Sequence, residues 1–389
     1  MNFLHLIRSM RREGGGPAEG VRLLVGVYRQ LGHSVEIATL DPPGPAAADL
    51  DIPVHTLGRR SSGYGFSPAL RPWLRQNAHR FDGTIVDGLW QFHGFAALRE
   101  LRGRHPYVVF PHGMLDPWFN RTYPLKVLKK RPYWALVEGP LLRGSNAVLF
   151  TSMVERDLAP LSFPGSDWNP VVVPYGTLGP PGDAAQEIAA FYSHVPQLAG
   201  EPFLLFAGRL HPKKGCDMLL RSYAAVAAQL ALPKLVFVGP DSAGLQARLQ
   251  RLTQKLGIAG RVLWAGMLVG PVKWGAFRAG EALVLPSHQE NFGIVVAEAL
   301  SCGTPVLLSD QVNIAADVQR CGAGLVEADT VAGTQRLLEQ WALLSDSERQ
   351  QMKHHALACW RRSFDSLRTG ASIADLFSHT VAHETLTSA

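Results

Sequence analysis

The chain has 389 residues, more than the roughly 250–300 at which a single hydrophobic core stops growing, so two domains are expected. Apolar residues make up 47% and charged residues 18%, which excludes a disordered chain, and no run approaches the ~18 apolar residues of a membrane span. The net charge of +6 is uneven: residues 1–180 hold 20 Lys+Arg against 14 Asp+Glu, and residues 181–389 hold 18 against 18, so an anionic partner would belong to the first half.

In chain order, "MNFLHLI" reads as a short apolar strand and not as a signal peptide, because no small-residue cleavage site follows it. A Gly-rich turn, "REGGGPAEG", leads into "VRLLVGVYRQLGH", whose apolar residues recur at helical spacing, and "SVEIATL" returns to a strand. Further strands are predicted at "GTIVDG", "PYVVFPHG", "NAVLFTS" and "VVVPYG", with helical stretches between several of them. Such alternation argues for a mostly parallel sheet covered on both faces. The Pro- and Gly-dense "PYGTLGPPGDAAQ" reads as a linker, after which the pattern restarts with strand "FLLFAGRL", helix "MLLRSYAAVAAQL", strand "KLVFVGP", helix "LQARLQRLTQKLG" and strand "RVLWAGM". Strand "ALVLPS", helix "GIVVAEALSCG" and strands "PVLLSD" and "GLVEA" complete it. The fold class is therefore α/β with two Rossmann-like doubly wound domains facing a central cleft, where strand C-terminal ends collect ligands. The first domain is expected to span 1–178 and to be rejoined by a C-terminal helix at about 362–389, and the second to span 179–361. Cys216, Cys302, Cys321 and Cys359 show no C-x-x-C spacing and read as reduced thiols of a cytoplasmic protein.

Chemistry concentrates in a few stretches. "HQENFGIVVAEAL" places Glu290 in a loop just past a buried strand and Glu298 on the helix that follows, which begins near Phe292 or Gly293. A ligand touching both must be extended, and the helix N-terminus offers free N–H groups to an anion. By itself the pair also fits a capping glutamate and a solvated helix glutamate. "FAGRLHPKKGCD" crowds Arg209, Lys213 and Lys214 into a strand-to-helix loop suited to a diphosphate, although an ordinary solvated basic loop has the same composition. Gly14, Gly15 and Gly16 permit close backbone approach to phosphate but lack the G-x-G-x-x-G pattern. "FPHGMLDPW" sets His112 and Asp116 just past a strand end, where a polar group can point into the cleft, although a lone histidine is more often structural.

Together these pieces resemble the retaining glycosyltransferases of family four, which have the GT-B fold. The residues that carry the resemblance are Glu290 through Glu298 as Glu, seven residues, Glu; "GRLHPKKG" at 208–215; the N-terminal Gly-rich loop; and the pair His112-Gly113. The resemblance implies that Arg209 and Lys214 hold the donor diphosphate and that Glu298 binds the ribose hydroxyls. Glu290 and the backbone of Asn291, Phe292, Gly293 and Ile294 would contact the donor sugar, while Gly239, Met267 and Leu268 would line the base. Gly15 and Gly16 would approach the phosphate and His112 would face the transferred sugar. "VVVPYGTLG" departs from the family's usual Asn-Gly-Val with Tyr175-Gly176-Thr177.

The expected activity is retaining transfer of a hexose from a UDP- or GDP-linked sugar to a glycan or polyprenyl-diphosphate-linked acceptor, in surface polysaccharide or glycoconjugate assembly. The alternatives are a GT-B enzyme making a soluble disaccharide and a basic nucleic-acid-binding protein. The second leaves the glutamates unexplained, so no nucleic-acid partner is expected. No metal is expected either: the one D-x-D, Asp49-Leu50-Asp51, lies in a Pro/Ala-rich loop, and Arg209, Lys214 and a helix N-terminus supply positive charge. Residues 118–143 and 58–80 mix Arg and Lys with Trp and Tyr, a composition suited to an anionic membrane surface as well as to a solvated basic face.

Overall fold

Strands whose residues are apolar throughout can be buried on both faces, which only a parallel sheet covered by helices provides. The computed structural model describes residues 1–11, 16–44, 49–59, 63–173, 175–198, 200–241 and 244–387, with side chains to 378. It divides into one unit of Met1–Tyr175 with Ser366–Ala389 and a second of Gly176–Asp365.

The first unit contains β1 (Asn2–Ile7), β2 (Ser34–Thr39), β3 (Val54–Thr56), β4 (Gly83–Asp87), β5 (Tyr107–Phe110), β6 (Ala147–Phe150) and β7 (Pro170–Val172). They form a parallel sheet in the order β3-β2-β1-β4-β5-β6-β7. Every residue of β4, β5 and β6 is buried. The short edge strand β3 escapes the sequence reading because its residues are only half-buried and carry little apolar signal. Asp49 and Asp51 pair with Arg22 and Arg29 of helix Gly16–Gln30, which accounts for the D-x-D as surface ion pairs. Helix Ser366–Thr387 packs in this unit, with the Phe377 ring 5.7 Å from that of Phe3.

The second unit contains β8 (Phe203–Ala207), β9 (Lys234–Val238), β10 (Val262–Gly266), β11 (Ala282–Leu285), β12 (Val306–Ser309) and β13 (Gly324–Glu327). Their order is β10-β9-β8-β11-β12-β13, again parallel. In each sheet the order reverses between the first and fourth strands, β1 and β4 or β8 and β11. Connections there leave in opposite directions, so a crevice opens at the carboxyl ends of those strands. Helices Ala184–His194 and Gly270–Ala279, absent from the sequence reading, lie in this unit and are joined by the buried Glu187, which accepts from Arg278 at 2.6 Å.

Candidate functional site

In the second unit the loop after β8 is fixed by its backbone. Gly208 N–H donates to the Val238 carbonyl at 2.9 Å and Leu210 N–H to the Pro240 carbonyl at 3.0 Å. Gly239 has φ of +140°, and a Cβ there would lie 1.9 Å from the Gly208 carbonyl oxygen, so close approach of the two strand ends requires glycine at that position. His211 caps the next turn through its ring, which accepts from Lys213 N–H at 3.1 Å, and the turn Pro212–Lys214 runs into helix Cys216–Ala227. The Lys213 carbonyl accepts from His288 N–H at 2.8 Å, tying this loop to the one after β11.

Glu290 stands in that second loop. Its N–H donates to the Gln311 carbonyl and its carbonyl accepts from Asn313 N–H, both at 3.1 Å, as an isolated parallel bridge beyond the β11–β12 ladder. Two strand-end loops so anchored bring the Lys214 ammonium onto the Glu290 carboxylate in an ion pair, with both side chains less than a fifth exposed. Burial, reinforced by the positive charges of Lys213 and Arg209, lowers the Lys214 ammonium to about 7. The Glu290 carboxylate in contact with it favours the charged form. Arg209 is exposed and makes no ion pair among the described residues.

Gly293, with φ of +75°, caps helix Ile294–Ser301, so the helix starts four residues past Glu290. Phe292 is buried against Phe364, ring centroids 5.8 Å apart, and Asn291 accepts from the Asn313 side chain at 3.4 Å. Glu298, on this helix, accepts from the Lys273 ammonium at 2.8 Å, and that ammonium also sits 4.4 Å above the Trp274 ring. The glutamates are therefore held by different lysines: Glu290 by the loop of Arg209, Glu298 by helix Gly270–Ala279. Just before that helix Met267 is 55% exposed whereas Leu268 is 6% exposed, so of the two only Met267 has an accessible side chain. Lys273 was not singled out in the sequence. Its signal is faint, a lysine one turn into a short helix.

The first unit has a polar cluster at the equivalent strand ends. Asp87, the last residue of β4, lies between two histidines: His5 Nδ1 donates at 2.7 Å and His112 Nε2 at 2.8 Å. Burial pushes the Asp87 carboxyl up, but the two histidines outweigh it and hold it below the ordinary carboxylate range. His93 Nε2 donates to the Asp87 carbonyl at 2.9 Å, and burial lowers that imidazole to about 4, leaving it neutral. His112 has φ of +51° and a side chain 7% exposed, with its ring 4.3 Å from that of Phe110 and 6.3 Å from that of Tyr175. An imidazole giving its Nε2 proton to a carboxylate keeps an Nδ1 lone pair in the neutral form, so His112 is oriented and its tautomer set. His5 and Asp87 escaped the sequence reading, although a histidine in "NFLHLI" and an aspartate closing "GTIVDG" are each polar interruptions of an apolar strand. Asp116 caps helix Pro117–Thr122, accepting from Trp118 N–H at 2.8 Å, and is a helix-capping residue.

Gly16 opens helix Gly16–Gln30, and a Cβ there would meet nothing within 4 Å, so packing does not require glycine at that position. Gly14 and Gly15 lie outside the described residues. Tyr175, the departure from Asn-Gly-Val, is buried with its hydroxyl against Gly20.

Two doubly wound parallel sheets with charged loops at their switch points define a GT-B α/β protein. Family models match in the same two parts: a "Glycosyl transferase 4-like domain" over residues 15–176 and "Glycosyl transferases group 1" over 193–357. The chain thus belongs to the family-four type of glycosyltransferases, a class of transferase enzymes. It is 30% identical over 178 residues to the D-inositol 3-phosphate glycosyltransferase of Rhodococcus erythropolis, covering 43% of this chain and 40% of that protein. Identity to the Thermomonospora curvata enzyme of the same name is 43% over 112 residues, covering 27% and 26%. The chain thus spans less than half the length of these relatives. Among solved structures, Anabaena HepE in complex with UDP and glucose has a TM-score of 0.76 at 18% identity, covering 97% of this chain and 99% of that one. Sucrose-phosphate synthase from Thermosynechococcus elongatus has a TM-score of 0.74 at 19% identity, covering 98% and 100%. At such identities the likeness is one of fold.

Proposed function

We propose that the protein transfers a hexose, with retention of anomeric configuration and without a metal ion, from a UDP- or GDP-linked sugar to a glycan or lipid-linked glycan in surface polysaccharide or glycoconjugate assembly. The observation that carries this reading is the Lys214–Glu290 ion pair held between two strand-end loops, beside an Arg209 that makes no ion pair among the described residues. A diphosphate is the ligand whose charge engages Arg209 and Lys214 together and frees Glu290 for the hydroxyls of the attached sugar.

Bond breaking at the anomeric carbon builds negative charge on the β-phosphate and positive charge on the ring. Preorganised cations stabilise the first more in the transition state than in the ground state, which is what accelerates the step. Departing phosphate accepts the acceptor's proton on the same face, so no separate base is required. On this reading the second unit supplies the cations and Glu298 the ribose contact. One fold neighbour supports the donor class, since HepE is described in complex with UDP and with UDP-glucose. A peripheral location at an anionic membrane would supply the lipid-linked acceptor, and no helix among the described residues is long and apolar enough to cross a membrane.

A thermal-shift panel of UDP, GDP, ADP and their sugars tests the donor, because a ligand stabilises by RT ln(1 + [L]/Kd). Nucleotide-sugar turnover in excess EDTA tests the metal. Stabilisation by a uridine or guanosine diphosphate and undiminished turnover are expected. Complete loss of turnover that Mg²⁺ restores would refute metal independence.

A further inference from the structure

The helical run from Pro124 to Arg143 in the first unit turns an apolar stripe outward. Trp134 and Val137 are 4% and 7% exposed, whereas Leu125, Leu128 and Leu136 are 82%, 67% and 75% exposed. At 3.6 residues per turn, Leu125, Leu128, Pro132 and Leu136 share one side, opposite Trp134. Helix Pro124–Tyr133 buries none of its residues. Arg121, Lys126, Lys129 and Arg131 are exposed around the stripe and make no ion pair among the described residues. The stretch 117–137 contains no Asp or Glu.

Leu136 also edges an open basin of about 570 Å³ lined by Arg71, Arg75, Arg99, Arg102, Arg104 and a single carboxylate, Glu100. Glu100 is taken by Arg71 at 2.7 Å and Arg75 at 3.1 Å. Arg99, Arg102 and Arg104 are exposed and make no ion pair among the described residues. Unpaired guanidinium groups facing one basin suit phosphate, which they can grip bidentately. The leucines decide what carries that phosphate. RNA presents phosphates without an adjacent apolar phase, and Trp134, the aromatic of this helix best suited to stacking, is buried. An anionic bilayer presents phosphate and hydrocarbon a few ångströms apart, and Leu136 joins the leucine stripe to the rim of the arginine basin.

We propose that this face of the first unit docks on an anionic phospholipid surface, with Leu125, Leu128 and Leu136 entering the headgroup–acyl boundary and Arg99, Arg102 and Arg104 holding lipid phosphates. The inference deepens the peripheral location proposed above and assigns it to named side chains.

The test is co-sedimentation of the full chain with phosphatidylcholine vesicles and with vesicles of phosphatidylcholine mixed with phosphatidylglycerol. Binding to the mixed vesicles and not to phosphatidylcholine alone is expected. Arg99→Ala/Arg102→Ala/Arg104→Ala is expected to lower the partition coefficient about a hundredfold, each cation near such a surface contributing about fivefold. Leu125→Ser/Leu128→Ser is expected to lower it about tenfold per leucine, including at salt that screens the arginines. The substituted side chains are exposed, so both variants should melt as the parent does. Equal binding to the two vesicle types, full binding by the leucine variant, or capture of single-stranded RNA with no vesicle binding would overturn the proposal. Nucleotide-sugar hydrolysis without vesicles reads the donor site separately: lost vesicle binding with intact hydrolysis refutes only this inference, and the reverse refutes only the transferase reading.

Discussion

Both units share one strand order through six strands and place polar groups at the same station, yet their electrostatics are opposed. At the ends of β1 and β4 a carboxylate is enclosed by two histidines, all three nearly inaccessible. At the ends of β8 and β11 a lysine and a glutamate pair with less than a fifth of each side chain exposed, beside an exposed arginine. Charge in the first cluster is satisfied internally, so its cost and its benefit fall on the folded state. Charge in the second is satisfied only in part, so its benefit is realised when an anion arrives. The topology dictates where side chains converge, and burial decides whether they hold the fold or a ligand.

This contrast is broken most directly by Lys214→Ala. Loss of a preorganised cation in the donor site is expected to lower kcat/KM about a thousandfold, with a melting temperature close to the parent's. Retention of more than a tenth of the activity would place the diphosphate elsewhere. Asp87→Asn is the converse. Stranding His5 and His112 should cost about 3 kcal/mol of stability, read as a lower denaturant midpoint, while the nucleotide affinity of the second unit stays unchanged. Smaller again is Glu298→Gln, expected to weaken UDP or GDP about tenfold through the lost ribose contact, as measured by calorimetry.

The pH dependence sharpens the comparison further. In the free protein Lys214 gives up its proton as pH rises through about 7, whereas a bound diphosphate keeps it charged. Binding therefore takes up a proton above that value. Nucleotide affinity is expected to be flat below pH 7 and to fall about fivefold between pH 7 and 8. Lys214→Arg, charged throughout, should flatten the curve. If both proteins give the same slope, Lys214 is not the group responsible. The smallest effect belongs to Gly16→Ala: with open space at that Cβ, stability should hold or rise by about 0.5 kcal/mol, while turnover falls if that backbone approaches phosphate.

Much of this was legible in the sequence because the signals were strong. Buried parallel strands such as "FLLFA" announce themselves as continuous apolar runs, and Arg209, Lys214 and Glu290 stand out as charges at the ends of such runs. Partners that complete each group were hidden. Asp87 and His5 are single polar residues within apolar strands, and only the parallel register brings them to one point with His112. Lys273 reaches Glu298 from a helix that carries no strong periodic signal. The membrane reading rested on Trp and Tyr beside basic residues, but Trp134 faces the core. The leucines between those landmarks point outward, because the phase of a helix emerges only when the buried side is known.

The helix Ser366–Thr387 belongs with strands made at the other end of the polypeptide. A ribosome finishes the first sheet long before it releases the segment carrying Phe377, which packs against Phe3. Maturation of the early half must therefore wait for that segment, while the intervening half can mature as soon as it emerges. A premature stop just before Ser366 would injure the portion synthesised first and spare the one synthesised second.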